Sequence, residues 1–274
     1  MTFLVLVVLY KTRPRDSDTL RTLAQQIPTP NVHMLVWDNS PDECDAEERQ
    51  WIFNTFVASE YRHTGDNWPL SRIYNYVIDD YLRHPIARFD YLILFDQDSL
   101  ISADFLVKAT RAVANHPEIG LLLPIVFSGA HIVSPAHLYY FKGFYWKQKR
   151  TGVISSRFTS AINSGMVISA TYLTSSFSGY PEALKFYGTD TFLCQAYAKH
   201  CPWLYVIDTT IRHDLARFRE ESADVKLWRH RETISATCFI NRAGRLRGYA
   251  CTVYAHAVSL RTAIKQHDLR FLRW

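Results

Sequence analysis

Two aspartates separated by one residue, Asp96 and Asp98, have the clearest capacity for chemistry in this sequence. They directly follow the apolar run 91–95, so their carboxylates stand at the end of a predicted buried strand. Carboxylate oxygens suit Mg²⁺ or Mn²⁺, and such ions commonly link a few carboxylates to substrate phosphates. The structural alternative is an acidic turn in which Asp98 or Ser99 caps the next helix.

Asp38 has the equivalent place after another apolar run, 32–37. A carboxylate there could accept a hydrogen bond from a nucleobase N–H or from a ribose hydroxyl. A turn stabilised by the side chain of Asp38 or Asn39 is the structural alternative. Open α/β sheets bind ligands at the carboxyl ends of their strands, so Asp38 and Asp96 are expected at the same edge.

Predicted strands and helices alternate along most of the chain. Residues 2–10 are apolar throughout, which is typical of a strand buried on both faces of a parallel sheet. A helix at 13–26 and a strand at 32–37 complete a βαβ unit. Further strands are predicted at 91–95, 120–127, 162–169 and 203–208, and further helices at 71–84, 103–115 and 189–200. The fold class is therefore α/β, with a central, mostly parallel sheet flanked by helices; residues 128–159 receive no assignment.

Charge is distributed unevenly over the 274 residues, of which 48% are hydrophobic. Residues 1–211 carry 18 basic and 20 acidic side chains, a net of −2, whereas residues 212–274 carry 13 and 6, a net of +7. Beyond about residue 217 the pattern is helical and amphipathic, which predicts a basic helical C-terminal extension. Such an extension could meet an anionic membrane or nucleic acid, pack on the rest of the protein or a second protomer, or present a solvated face.

Cysteine usage and the N-terminal run bear on the cellular compartment. The cysteines are Cys44, Cys194, Cys201, Cys238 and Cys251. No pair has the short C-x-x-C spacing of a zinc site. The apolar run at 2–10 is too short to span a bilayer, and no secretory signal is evident. We therefore expect reduced thiols and a cytoplasmic protein, with peripheral contact to the inner face of the cytoplasmic membrane as a further possibility.

Six segments, in order along the chain, resemble the family 2 inverting glycosyltransferases of the GT-A fold. They are residues 36–40 (VWDNS), 67–71 (NWPLS) with Asn75, 95–99 (FDQDS), 163–169 (NSGMVIS), 188–194 (GTDTFLC) and 212–213 (RH). The D-Q-D-S form of the third segment is most similar to the bacterial rhamnosyltransferase group. The resemblance implies a GT-A nucleotide-sugar-dependent catalytic domain at 1–215 and a helical extension at 216–274.

The resemblance also implies a donor site. Tyr10 and Asp38 would hold the nucleotide base, and Asn67 and Ser71 would line the floor near the ribose and diphosphate. Asp96 would contact the ribose and the metal side of the donor.

The resemblance implies that a divalent ion, Mg²⁺ or Mn²⁺, is held by Asp96, Asp98 and His213. A neutral imidazole is an acceptable ligand for such an ion, although oxygen is preferred by Mg²⁺. Taken alone, a histidine after a strand is more often structural.

Asp190 is the candidate catalytic base. Transfer with inversion requires a carboxylate that takes the proton from the acceptor hydroxyl as this hydroxyl attacks the anomeric carbon. Asp190 lies near the start of the predicted helix 189–200, where the helix N-terminus favours an ionised carboxylate. The structural alternative is a helix cap, and the two roles are compatible.

Acceptor contacts are expected from Gly165 and from Trp146, the latter within the aromatic clusters 139–141 and 144–146. Aromatic faces stack on the apolar faces of sugars, while ordinary packing is the alternative. Lys147, Lys149 and Arg150 follow directly, which makes a diphosphate-lipid acceptor conceivable.

Three functions from different classes account for parts of this pattern. The leading hypothesis is a metal-dependent inverting glycosyltransferase that moves a sugar from a dTDP- or UDP-linked donor, dTDP-rhamnose in the narrowest form, to a bacterial polysaccharide or glycolipid. A nucleotidyltransferase would use the same paired carboxylates, but residues 10–15 lack the glycine-rich phosphate loop that such an enzyme usually carries. A nucleic-acid-binding protein would use the basic extension and leave Asp96, Asp98 and Asp190 unexplained.

Overall fold

Buried strands in the N-terminal part of the chain pair side by side into a parallel sheet. The computed structural model describes residues 1–26, 31–84, 88–213, 222–242 and 244–274. Strand β1 (Phe3–Leu9) is buried along its whole length and lies between β2 (Val32–Asp38) and β4 (Tyr91–Asp96), with β3 (Ser59–His63) beyond β2. All three pairings are parallel, as the continuous apolar runs predict.

The C-terminal part of the sheet is mixed rather than parallel. Its strands are β5 (Ser99–Ile101), β6 (Leu121–Ser128), β7 (His131–Ser134), β10 (Gly152–Ser155), β12 (Met166–Ser169) and β13 (Trp203–His213). The order across the sheet is β10-β13-β6-β12-β4-β1-β2-β3, with β5 paired to β13 and β7 to β6. Strand β12 is antiparallel to both of its neighbours, so it joins the parallel N-terminal half to the parallel pair β6 and β13.

A small second sheet contains β8 (Ala136–Tyr139), β9 (Lys142–Tyr145) and β11 (Thr159–Ser160). Most of it lies in the segment 128–159, for which no element was predicted. The short, partly exposed strands bury too few residues to produce a clear alternating pattern.

Helices cover both faces of the large sheet. They are α1 (Asp18–Ala24), α2 (Ala46–Thr55), α3 (Leu70–Val77), α4 (Phe105–Asn115), α5 (Ala170–Ser175) and α6 (Thr189–His200). Alternate residues of β1 point to opposite layers. Leu4 and Leu6 pack in a core with residues of α3, α5 and α6, whereas Val5 and Val7 pack with residues of α1, α2 and α4. This layered arrangement confirms the α/β fold class.

Several predicted boundaries are wrong, with local physical reasons. The helix predicted at 13–26 is divided into a 3-10 turn, Pro14–Asp16, and α1, whose N-cap Ser17 accepts a hydrogen bond from the Leu20 N–H. The helix predicted at 71–84 changes to π geometry over Ile78–Arg83. The sequence analysis did not anticipate α2 and β3, because neither has a strongly periodic apolar pattern.

The C-terminal extension consists of two long helices, α7 (Ala223–Ile240) and α8 (Arg245–Gln266), followed by a 3-10 turn, Leu269–Leu272. Helix α8 buries small side chains and leaves large apolar ones exposed. The buried residues are Cys251, Ala255, Ser259 and Ala263, and the exposed ones are Leu246, Tyr249, Val253, Leu260 and Ile264. Among the described residues, no helix is both long enough and apolar enough to cross a membrane.

Candidate functional site

The register of the sheet brings the predicted carboxylates to one edge. Leu9 at the end of β1 is paired with Asp38 on β2, and the preceding residue, Val8, is paired with Asp96 on β4. Both aspartates are therefore the last residues of strands that flank β1. This is the edge at which open α/β sheets bind ligands.

The N-terminus of α1 fixes the loop that carries Asp98. The Thr19 hydroxyl donates to the Asp96 carbonyl and accepts a 2.9 Å hydrogen bond from the Ser99 N–H. The Ser17 hydroxyl donates to the Gln97 carbonyl at 2.8 Å. These contacts hold the backbone on both sides of Asp98, so the point from which its side chain projects is fixed.

Pairing of β5 with the end of β13 brings His213 to Asp98. Ser99 lies opposite His213 in this antiparallel pair. As a result, His213 Nδ1 is 3.3 Å from Asp98 Oδ1 and 3.3 Å from Ser99 Oγ. This strand was predicted to end at 208, and its continuation to His213 places the histidine at the site. The longer strand contains a register shift between Val206 and Thr210.

Asp96 is oriented separately. The Ser164 hydroxyl donates to Asp96 Oδ2 at 2.8 Å. Ser164 itself is fully buried, so the donor of this hydrogen bond is shielded from water. Asp96 remains partly exposed and faces two adjacent cavities.

The first of these cavities, the Asp98 pocket, has a volume of about 710 Å³. Tyr10, Asn67, Asp96, Asp98, His213 and Arg229 are among its lining residues. The backbone N–H of Tyr10 donates to Gln97 Oε1 at 2.6 Å, and Asn67 Oδ1 accepts from Asn39 Nδ2 at 3.0 Å. Tyr10, predicted to contact the nucleotide base, and Asn67, predicted to lie near the ribose and diphosphate, thus line the same pocket as Asp96 and Asp98.

The other two predicted donor residues, Asp38 and Ser71, lie beneath this pocket. Asp38 is 2% exposed; its Oδ1 accepts from the Ser40 N–H at 3.0 Å and its Oδ2 from the Tyr61 hydroxyl at 2.7 Å. This is the turn-stabilising alternative considered for Asp38. Ser71 is fully buried, and its Oγ has no hydrogen-bond partner among the described residues. Neither side chain lines the pocket.

The second cavity, the Asp190 cavity, has a volume of about 510 Å³. Asp190 is the second residue of α6, and its Oδ1 accepts from the Thr191 N–H at 2.6 Å. Burial, followed by the nearby charge of Asp96, raises the pKa of Asp190 to about 6, although the Thr191 contact opposes the shift. A carboxylate with this pKa can take a proton near neutral pH.

The two cavities share a wall. Asp96, His213 and Thr233 line both of them, as do Leu70, Phe186 and Tyr187. The Asp190 cavity also contains Asn163, whose Nδ2 donates to Thr189 Oγ1 at 3.1 Å and whose Oδ1 is buried without a partner among the described residues. The Asp98 pocket, with its carboxylates and imidazole, therefore lies next to the cavity that contains the candidate base Asp190.

Helix α7 covers both cavities, a contribution that the sequence analysis missed. Trp228 and Arg229 line the Asp98 pocket, and Thr237 and Asn241 line the Asp190 cavity. Arg229 Nε donates to the Tyr187 hydroxyl at 2.8 Å. The domain boundary expected at 215 lies outside the described residues, and α7, which follows it, lines both cavities.

Gly188 allows this close approach of α7. Its φ of 82° favours glycine, and a Cβ there would lie 3.0 Å from both Ala236 Cβ and Ile240 Cδ1 of α7. Gly188 also immediately precedes α6, which carries Asp190. The contact therefore ties the extension to the helix that presents the candidate base.

The predicted acceptor residues lie elsewhere. Trp146 is 6% exposed and packs in the core, and neither it nor Gly165 lines either cavity. A Cβ on Gly165 would lie 2.5 Å from Ile211 Cδ1 and 2.7 Å from Pro124 Cγ, so this position needs glycine for packing. Lys149, considered for acceptor diphosphate, instead forms an ion pair with Asp208.

The donor groups fit a hard divalent ion that completes its coordination with substrate. Two carboxylates and one imidazole face the Asp98 pocket, although no cluster of three or more metal-ligating side chains occurs in the described parts of the chain. Mg²⁺ in particular is often held by one or two carboxylates together with substrate phosphates and water. Asp98 and His213, 3.3 Å apart, and Asp96 on the same wall are the described side chains of this pocket with the ligand types that this mode uses.

Comparison with known proteins identifies the fold. No protein-family model and no curated protein sequence matches the chain. S. aureus TarS 1–349 in complex with UDP-GlcNAc superimposes with a TM-score of 0.60 at 14% identity, covering 92% of this chain and 69% of that chain. A longer structure of S. aureus TarS gives 0.60 at 15% identity, with 92% and 41% coverage.

A third similar structure is GalNAc-T7 with UDP, GalNAc and Mn²⁺, with a TM-score of 0.59 at 10% identity. The match covers 84% of this chain and 48% of that chain. The chain thus spans about half of GalNAc-T7 and about two-fifths of the longer TarS structure. At these identities the likeness establishes the fold, and the chain therefore has the GT-A fold.

Proposed function

We propose that this chain is a glycosyltransferase that uses a nucleotide-diphosphate sugar. The observation that carries the proposal is the shared wall formed by Asp96 and His213 between the Asp98 pocket and the Asp190 cavity. A sugar attached to a diphosphate in the first space would have its anomeric carbon near the second. The UDP-GlcNAc in the TarS structure and the UDP in the GalNAc-T7 structure support such a donor.

In this proposal the Asp98 pocket binds the nucleotide diphosphate. Tyr10 and Asn67 face the nucleoside, and Asp98 and His213, with Asp96, would hold Mg²⁺ or Mn²⁺. A bound ion would supply positive charge that stabilises the departing diphosphate. Arg229 lines the same pocket from α7 and adds a second cation toward the diphosphate.

Asp190 would act as the base of an inverting transfer. As the acceptor hydroxyl oxygen forms its bond to the anomeric carbon, its proton passes to the Asp190 carboxylate. The bond between the anomeric carbon and the diphosphate oxygen breaks, and the diphosphate leaves with the electron pair. The raised pKa of Asp190, to about 6, suits a group that must receive a proton near neutral pH.

The donor proposal includes a base and a sugar. The D-Q-D-S sequence at 96–99 supports dTDP-rhamnose, whereas the UDP found with TarS and GalNAc-T7 supports a UDP-sugar. The acceptor is proposed to be a bacterial polysaccharide or glycolipid, which needs an exposed hydroxyl that can enter the Asp190 cavity. Trp146 and Gly165 are not assigned to this acceptor, because both pack in the interior.

The test is thermal stabilisation by UDP, dTDP and their sugars, with Mn²⁺, with Mg²⁺ and with a chelator. Binding to the native state raises the melting temperature; ligand at about 100 times its Kd stabilises by about 2.7 kcal/mol. We expect a metal-dependent rise with at least one nucleoside diphosphate, and release of that diphosphate on turnover. Release of pyrophosphate would instead identify a nucleotidyltransferase, and no response to any nucleoside diphosphate would remove the proposal.

A further inference from the structure

A third cavity, the α8 groove, lies between the β8–β9 hairpin and α8. Its volume is about 990 Å³, larger than either cavity of the proposed active site. Its walls include Phe141 from the hairpin, Ala198 from α6, and Ala250 and Tyr254 from α8. The proposed donor and base roles use none of these side chains.

The walls of the α8 groove combine apolar surface with positive charge. Lys142, Arg157, Lys199 and Arg247 line it, and no aspartate or glutamate is among the described residues that do so. The Asp98 pocket, in contrast, has two carboxylates on its wall. The charge of the α8 groove is thus complementary to an anion attached to an apolar chain.

Large apolar side chains are exposed where the α8 groove opens to solvent. Tyr140 is 78% exposed, Leu246 is 88% exposed and Val253 is 53% exposed, and all three line it. Such a cluster of exposed apolar side chains marks a surface that binds apolar material. These apolar side chains and the four cations line the same groove.

The α8 groove adjoins the Asp190 cavity. Leu138, Tyr140, Phe141 and Gln195 line both spaces. A molecule bound in the α8 groove therefore lies next to the space that Asp190 lines.

We propose that the α8 groove binds the hydrocarbon chain and adjacent phosphate of an amphiphilic acceptor whose reactive hydroxyl reaches Asp190. The proposal rests on the glycosyltransferase function above, and it specifies the acceptor class as a phosphate-bearing lipid. In this proposal the apolar walls contact the hydrocarbon chain, and the cations that line the groove, Lys142, Arg157, Lys199 and Arg247, attract the phosphate. Binding is to a single amphiphile molecule rather than to the surface of a bilayer.

The first experiment measures binding of alkyl phosphates of eight, ten and twelve carbons by calorimetry, at concentrations below micelle formation. Each methylene removed should weaken binding by about two- to fourfold, because buried methylene groups contribute additively to apolar transfer. Decyl maltoside, a neutral amphiphile of the same chain length, should bind more weakly than decyl phosphate. Equal affinity for all chain lengths would overturn the proposal.

Two variants locate the site. Ala250→Trp fills the α8 groove and should weaken decyl phosphate binding at least about tenfold. Ala257→Trp is the matched control, since Ala257 is exposed on the same helix and does not line the α8 groove. The double variant Arg157→Gln, Lys199→Gln should weaken binding of decyl phosphate but not of decyl maltoside. Unchanged binding in Ala250→Trp would show that the site is elsewhere.

Other occupants of the α8 groove give different results. Binding to anionic vesicles without binding of submicellar alkyl phosphate would indicate a membrane surface and overturn the proposal. A change of oligomeric state in Ala250→Trp, again without alkyl phosphate binding, would indicate a second copy of the chain. Nucleotide binding measured on the same samples keeps the two proposals separate, since either ligand can bind when the other does not.

Discussion

The floor and the cover of the proposed active site are built differently. The floor consists of strand ends, where backbone pairing and the N-terminus of α1 fix Asp96 and Asp98. The cover is α7, which contributes Arg229 through side-chain contacts and close packing at Gly188. Residues of the floor should therefore control chemistry and metal binding, whereas residues of the cover should control affinity and stability.

The largest expected effect comes from the base. Asp190→Asn should reduce transfer by about 10²- to 10⁴-fold, the usual contribution of a general base, because the amide cannot accept the acceptor proton. Stabilisation by nucleoside diphosphate and metal should be unchanged. The measurement is kcat together with the nucleotide-dependent shift in Tm. Equal loss of both would contradict the assignment of separate roles to the two cavities.

The next effect concerns the floor of the Asp98 pocket. Asp98→Asn should abolish the metal-dependent part of nucleotide stabilisation, since the amide replaces a charged oxygen ligand. Asp104→Asn is the control, because Asp104 is a partly exposed aspartate that pairs with Lys108 and does not line the pocket. If Asp98→Asn and Asp104→Asn respond alike to nucleotide with Mn²⁺ and with chelator, the metal assignment is wrong.

Arg229 tests the cover directly. Arg229→Gln should weaken nucleoside diphosphate binding by about 10- to 150-fold, consistent with loss of a charge-assisted contact of roughly 1.5–3 kcal/mol. Arg231→Gln is the control, since Arg231 lies on the same helix and donates to the Arg273 carbonyl instead. Calorimetric titration of each variant with UDP and dTDP provides the comparison; matching affinities would remove α7 from the donor site.

Gly188 tests the packing of the cover against α6. Gly188→Ala should destabilise the fold by about 1–3 kcal/mol, because a left-handed backbone and two 3.0 Å contacts both oppose a Cβ. Gly143→Ala is the control, since an added Cβ there meets nothing within 4 Å. Chemical denaturation measures the free energy of unfolding of both variants. Equal small changes would mean that α7 can shift at this contact at little energetic cost.

The smallest effect is a pH dependence of stability. The raised pKa of Asp190 means that the folded state binds this proton more tightly than the unfolded state, so ionised Asp190 destabilises the fold above about pH 6. Asp190→Asn should therefore be more stable than the parent by roughly 1–2 kcal/mol at pH 8, discounted for partial exposure. The difference should shrink as the pH falls from about 6 through about 4, and it should be absent near about pH 3, where Asp190 is protonated in both states. Denaturation of the metal-free protein at about pH 8 and about pH 3 checks the sign.

The floor could be predicted from the sequence, because the patterns that indicate its strands and their terminal aspartates are local in the chain. Apolar runs ending in Asp38 and Asp96 predict parallel strands, and parallel strands end at one edge. Helix Thr189–His200 was also predicted with its observed bounds, and with it the position of Asp190. The finer role of Asp38 was not accessible, since only the structure shows both of its oxygens engaged by Ser40 and Tyr61.

The cover was not accessible, because its contacts join residues that are far apart in the chain. The residues around Arg229 in the sequence do not indicate that it contacts Tyr187. Gly188 has the sequence context of an ordinary glycine at a helix start, and only the structure shows Ala236 beside it. Trp146 shows the opposite error: its aromatic neighbours favoured a sugar contact, but long-range packing buries it in the core.

The position of α7 over the Asp98 pocket has a consequence for the rate at which ligands arrive. Residues 1–211 carry a net charge of −2 and residues 212–274 a net charge of +7, and the proposed active site lies where these two parts meet. The positive charge of residues 212–274 attracts an approaching anion, whereas the net negative charge of residues 1–211 does not. The encounter with diphosphate-bearing ligands therefore slows as added salt shortens the range of that field.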